Sequence, residues 1–233
     1  MLEFLRAPLL LAIDTAANLC AACVWDTEAH TERGRAVEAM TTGHAERLMA
    51  VIQEALDAAG VGYKDLGAVA LSVGPGSFTG VRVGVSTARG LALALKIPAI
   101  GVTTLEAVAA ETLALHPGSD TLVAIDAGRG NAYVGVYDAF AMLRYGPVML
   151  SLDETVELAR EGDPVLSGTA AASVAERTGI RRRLGPAIAT ADVATYARLA
   201  AAKPATADKP VPLYLRPPDA KPQASHVLPR RPG

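Results

Sequence analysis

A chain of 233 residues that is 51% hydrophobic but only 4% aromatic can bury a core of Ala, Val, Leu and Ile, as one large or two small domains. Its formal charge of −2 gives no global attraction to nucleic acid or to an anionic membrane. No apolar run has the length of a transmembrane helix. Met1–Ala12 is interrupted by Glu3 and Arg6 and lacks the basic start and small-residue cleavage site of a signal peptide, so a cytoplasmic location is expected.

From the N-terminus, Leu9–Asp14 and Leu19–Trp25 read as a hairpin around a short Ala-Ala-Asn turn, with Arg35–Met40 as a third strand. Cys20 and Cys23 have C-x-x-C spacing, which can mark a redox pair or half a zinc site. On a strand, however, residues three apart face opposite sides, and no second Cys/His pair exists to complete a zinc site. They read as small apolar strand residues. His44–Ala59 carries Leu48, Ile52, Ala55, Leu56 and Ala59 on one helical face, closed by Gly60. Ala68–Val73 is a buried strand cut off by the turn Gly74-Pro75-Gly76-Ser77, and a long helix begins near Phe78 or Thr79 and runs to Leu95. Ser77 or Thr79 can cap it. Gly80, Gly84 and Gly90 within that helix cost roughly 0.5–1 kcal/mol each against alanine, so something approaches its backbone closely. A strand at Ala99–Val102 and a helix from Thr103 or Thr104 to about Leu115 follow, and Pro117-Gly118 punctuates.

The chain then begins again. Leu9–Asp26 and Thr121–Asp138 align without gaps with six identical pairs in eighteen, including Asp14/Asp126 and Asp26/Asp138. Both read as strand–turn–strand with an aspartate closing the first strand. Met142–Ser151 (strand), Leu152–Arg160 (helix), Pro164–Leu166 (strand) and helices near Thr169–Thr178 and Thr190–Ala202 complete the second half. The pattern predicts two mixed α/β subdomains related by a pseudo-twofold, with a ligand crevice between them. Residues 1–104, completed by the helix at 190–202, form the first subdomain and 105–189 the second. From Lys203 the composition shifts: eight of the fifteen prolines lie in the last 31 residues, beside six Lys/Arg and two Asp. Residues 203–233 are therefore expected to be a basic, Pro-rich tail, extended or disordered at least beyond Arg216. Its Arg216, Lys221, Arg230 and Arg231 suit either a solvated tail or a weak RNA or partner contact.

Ile13-Asp14-Thr15, the HAERL helix start at His44, VGPGSFTGVRVG at 73–84, ARGLA at 88–92, PAIGVTTLEA at 98–107 and PLYLRPPDAKPQ at 212–223 resemble the TsaB family over nearly the whole chain. The resemblance implies the duplicated actin/Hsp70/sugar-kinase (ribonuclease H-like) fold of a YeaZ-like paralogue of TsaD. It also implies a non-catalytic role. Such a subunit binds and activates TsaD, which transfers threonylcarbamoyl from threonylcarbamoyl-AMP to N6 of the adenosine beside the tRNA anticodon. TsaE, an ATPase, joins the complex; the TsaB subunit pairs with itself when alone, and its tRNA contact is indirect or weak. The family's DARR motif is here Asp126-Ala127-Gly128-Arg129, so only its second arginine is kept.

The catalytic relative presents two metal-binding histidines at i, i+4; this chain has His44 and then Leu48, so no metal site is expected. Kinases of this fold hold magnesium through two aspartates and phosphates through glycine-rich turns. Asp14 and Asp126 supply the carboxylates, but Asp14-Thr15-Ala16-Ala17 lacks glycine, Gly128 and Gly130 alone remain in the second turn, and the adenosine loop is reduced to Ser167-Gly168-Thr169. Asp14, Thr15, Asp126, Gly128 and Gly168 thus read as a vestigial nucleotide site and no cofactor is expected, a weak ATP-dependent phosphotransferase being the alternative. Ser77 lacks G-x-S-x-G geometry and an assignable histidine, and reads as a cap. The partner surface is assigned to His44, Leu48, Met49 and Ile52 on one helix and Thr79, Gly80, Val83, Gly84 and Thr87 on the other, where small residues let helices approach closely. The competing reading packs Gly80 and Gly84 on this chain's own core.

Overall fold

The computed structural model describes residues 7–203 and 209–216. The first half runs β1 (Leu9–Asp14), β2 (Leu19–Asp26), β3 (Thr31–Ala39), α1 (His44–Ala59), β4 (Leu66–Ser72), α2 (Phe78–Leu95) and β5 (Ala99–Val102), and α3 (Thr104–Leu115) leads into the second. The second runs β6 (Thr121–Gly128), β7 (Asn131–Tyr137), β8 (Leu143–Ser151), α4 (Leu152–Arg160), β9 (Val165–Ser167) and α5 (Ala171–Thr178), and α6 (Val193–Ala202) follows.

The two sheets repeat one plan. Strand order is β3-β2-β1-β4-β5 in the first and β8-β7-β6-β9 in the second. In each, an antiparallel meander is joined by a parallel strand beside its first member. The gapless sequence repeat is displaced by one residue in space, because Leu9 pairs with Asp26 whereas Thr121 pairs with Tyr137. The turns account for the shift. Residues 15–18 separate β1 from β2, whereas Arg129 and Gly130, both with positive φ (56° and 74°), form a two-residue reversal beyond an irregularity near Gly128.

Alternation along the strands splits the first core. Leu11, Ile13, Cys20 and Val24 face α1 and α2, while Leu10, Ala12, Cys23 and Trp25 face α6. Cys20 and Cys23 are buried free thiols in different cores, on opposite faces of one strand. Burial pushes the Cys20 thiol up to about 11, so neither is poised for redox work. In the second half, α4 and α5 cover one face of the sheet and α3 the other, through Leu105, Val108 and Ala109. Tyr196 of α6 is fully buried against the first sheet.

The third strand starts earlier than its apolar content suggests, at Thr31 rather than Arg35. It is an edge strand whose side chains alternate between exposed and half-buried, held by ion pairs such as Arg35 with Glu32 and Asp192. The C-terminal segment also departs from expectation. Residues 209–216 contain no helix or strand, yet the Leu213 amide donates to the Val73 carbonyl (2.8 Å) and Arg216 donates to the Ala127 carbonyl. The first part of the expected tail is thus part of the folded body. Lys221, Arg230 and Arg231 lie outside the described residues.

Candidate functional site

A cleft of about 1060 Å³ opens between the halves at the ends of β1 and β6. Its walls are the β1–β2 turn, the loop into α2, residues 125–127 of β6 and residues 213–216. A strand-end crevice of this kind is where such folds bind ligands.

At its first-half end the backbone has closed on itself. Ser77 donates its amide to the Ala16 carbonyl (2.6 Å), and its hydroxyl accepts from the Gly80 amide (3.2 Å), so Ser77 is the helix cap. Thr15 donates its hydroxyl to the Gly80 carbonyl (2.7 Å). Gly76 and Gly80 are needed for this contact: a Cβ on either would overlap the carbonyl of Ala16 or Thr15. The amides of Ala16 and Ser77 are therefore spent inside the chain.

Asp14 is turned inward, 1% exposed. It accepts from the Ala16 amide (2.9 Å), from Ser72, and from Thr190 (2.6 Å), whose hydroxyl also bonds Tyr196 (2.6 Å). Burial raises its pKa despite the lowering effect of these three donors. Asp14 ties the strand end to β4 and to the segment entering α6, and offers no oxygen to the cleft. Asp126 is its opposite. It is exposed and lines the cleft; it accepts from the Gly128 amide (2.8 Å), and its own amide donates to Thr169 (2.8 Å). Gly168 has φ +92° and donates to the Pro186 carbonyl (2.8 Å), so its amide too is occupied. Thus Asp14 and Thr15 are packing residues, Asp126 faces the cleft, and Gly128 and Gly168 shape turns. Among the described residues, no three His, Cys, Asp or Glu side chains group to hold a metal ion.

The two helices of the first half need several corrections as a partner surface. Leu48 (1% exposed) and Ile52 (0%) lie in the core with Val51 and Leu56, so they cannot meet a partner without unfolding. His44, at the first turn of α1, is buried, with Nε2 lacking a hydrogen-bond partner among the described residues. Gly80 and Gly84 are buried where α2 presses on Thr15; a Cβ on Gly84 would sit 2.5 Å from the Thr15 hydroxyl. Their smallness serves the chain's own packing. Met49 and Thr79 are exposed and Val83 and Thr87 half-buried, so these four of the assigned residues remain at the surface. The same outward face also carries Gly90, whose Cβ position is open space, and Leu93, 78% exposed. Continuing the helical spacing from Thr79 through Val83 and Ser86 leads to both.

The family model described as TsaD, tRNA N6-adenosine threonylcarbamoyltransferase, matches residues 27–219. The tRNA threonylcarbamoyladenosine biosynthesis protein TsaB of Escherichia coli is 37% identical over 131 residues, 55% of this chain and 54% of that protein, so the match spans about half the length of that relative. An uncharacterized protein of Mycobacterium tuberculosis is 34% identical over 232 residues, covering 92% of this chain and 94% of its own. In structure, YeaZ from Pseudomonas aeruginosa superposes with a TM-score of 0.72 at 25% identity, over 88% of this chain and all of that one (100%). The ethanolamine utilization protein EutJ of Carboxydothermus hydrogenoformans shares the fold alone, with a TM-score of 0.51, 12% identity, and coverage of 83% and 90%. With the repeated sheets, these likenesses identify the duplicated actin-like architecture. The chain belongs to the TsaD family and is similar in sequence to TsaB and in structure to YeaZ.

Proposed function

We propose that this chain is a non-catalytic subunit that binds and activates a TsaD-like catalytic subunit for threonylcarbamoyl transfer from threonylcarbamoyl-AMP to N6 of the adenosine next to the tRNA anticodon. The observation that carries the reading is the first-half end of the cleft. Asp14 is enclosed by Ala16, Ser72 and Thr190, and the turn that would cradle a phosphate packs on α2 instead. An ATP-dependent phosphotransferase would need both, so the same residues argue against that alternative. The docking surface in this reading is the outward face of α2 (Thr79, Val83, Thr87, Gly90 and Leu93) with Met49 of α1. An exposed stripe of small and apolar residues permits close helix approach. In the absence of the TsaD-like subunit the same face suits a second copy of the chain. A TsaE-like ATPase acts on the assembly, and this chain's tRNA contact is indirect.

The test is reconstitution. Threonylcarbamoyl transfer to tRNA is measured for the TsaD-like subunit and TsaE-like ATPase with and without this chain, and for this chain alone. The expected result is strong dependence on the chain and no transfer by it alone. Efficient modification by the isolated chain, or full activity in its absence, overturns the reading.

A further inference from the structure

Residues 209–216 cross the cleft, and their anchors lie on different halves. On the first half, the Leu213 amide donates to the Val73 carbonyl (2.8 Å), at the junction of β4 and the loop into α2. The Tyr214 ring lies 5.5 Å from the Phe78 ring at 42°, and its hydroxyl accepts from Arg82 Nε (2.6 Å). The Arg82 guanidinium sits 3.7 Å above the Phe78 ring and 5.4 Å from that of Tyr214, so two aromatic faces and one cation form a clamp. On the second half, Arg216 donates to the carbonyl of Ala127, beside the cleft-facing Asp126. Leu213, Tyr214, Leu215 and Arg216 all line the cleft.

We infer that this segment is a latch that fixes the closure of the two subdomains. Tyr214 is 51% exposed and the segment has no strand partner of its own, so undocking breaks its surface contacts and the packing of half-buried Leu213 on the margin of the first core. Phe78 and Arg82 belong to the first turns of α2, whose later turns carry Gly90 and Leu93. A partner seated on α2 therefore touches the helix that holds the latch. This coupling rests on the docking reading given above; the latch itself does not.

The test uses the full chain with a label pair at Asn18→Cys and Asp153→Cys, both exposed and at the cleft end of their sheets. Cys20 and Cys23 are buried and escape labelling. The inter-label distance distribution is measured in this background and with Tyr214→Ala, Arg216→Ala, or both. Each single change is expected to lengthen and broaden the distribution, and the pair to add little beyond either, because one latch is opened twice. Hydrogen exchange at the Leu213 amide should accelerate by about tenfold in Tyr214→Ala while the core strands keep their protection. Unchanged distances in both single variants, with unfolding curves matching the parent, overturn the latch. A distance shift on adding the TsaD-like subunit supports the coupling, and binding of that subunit without a shift overturns it. Failure of that subunit to bind overturns the docking reading and leaves the latch, measured on the chain alone, standing.

Discussion

In the first half, the aspartate that closes the opening strand is buried and shared among Ala16, Ser72 and Thr190; in the second, its counterpart Asp126 faces the cleft and accepts from the local turn amide of Gly128. The same residue at the same step of a repeated plan has become a packing hub in one place and a surface turn residue in the other. The difference comes from what arrives from elsewhere in the chain. Thr190 and Ser72 reach Asp14 across 176 and 58 positions, whereas the Asp126 side chain accepts from Gly128, two residues on. Local sequence sets the turn, and long-range packing sets the role.

The largest effect that can break this comparison is at the two carboxylates. Asp14→Ala leaves the Ala16 amide and two hydroxyls without this acceptor in a buried site; a loss of about 2–4 kcal/mol is expected. Asp126→Ala removes one exposed turn bond and should cost less than about 1 kcal/mol. Urea unfolding of the two variants measures both. Equal losses would mean that the halves use their aspartates alike.

The second contrast is within α2. Gly84→Leu drives a side chain into Thr15, where a Cβ alone already approaches to 2.5 Å, and overpacking should destabilise the fold by roughly 1–3 kcal/mol. Gly90→Ala meets open space and removes a helix-breaking residue, so the isolated chain should gain about 0.5–1 kcal/mol. If Gly90 lies at a close helix–helix contact, Gly90→Leu should weaken the partner while leaving this fold intact. Thermal melts and a binding titration separate the two glycines. A stable Gly84→Leu chain would return Gly84 to the surface.

Much of the architecture was legible because it is local. The apolar spacing and closing Gly60 place α1 at His44–Ala59, and the strand–glycine turn–helix sequence places α2 at Phe78–Leu95, both as observed. The duplication was visible in LLLAID and TLVAID, each opening a meander that recurs in its sheet. What escaped depended on distant contacts. Spacing grouped Gly80 and Gly84 but could not say that Thr15, 65 residues away from Gly80, fills the space beside them. Leu48 and Ile52 show the same limit from the other side, since periodicity defines a helical face before it says what covers that face. Proline content marked residues 209–216 as irregular, and irregular chain can still pack, as Tyr214 does on Phe78 and Arg82.

The smallest expected effect is a change of slope, and it tests which force governs Asp14. Burial raises its pKa above the ordinary 3.8. Between the unfolded and folded values the native chain holds this proton more often than the unfolded chain does, so stability falls as pH rises through that window. The stabilisation linked to that proton is complete below the unfolded pKa and gone above the folded one. Carboxylates held low by hydrogen bonds, such as Asp26 and Asp138 with their turn amides, give the opposite slope. They are common to the parent and to Asp14→Asn and cancel in the difference. Unfolding free energies measured for both proteins from about pH 4 upward should therefore show the parent declining relative to Asp14→Asn, by no more than about 1.4 kcal/mol per pH unit for one proton. A parent that gains on the variant over this range would show that the donors at Ala16, Ser72 and Thr190 outweigh burial. The first-half aspartate would then be stabilised as an anion.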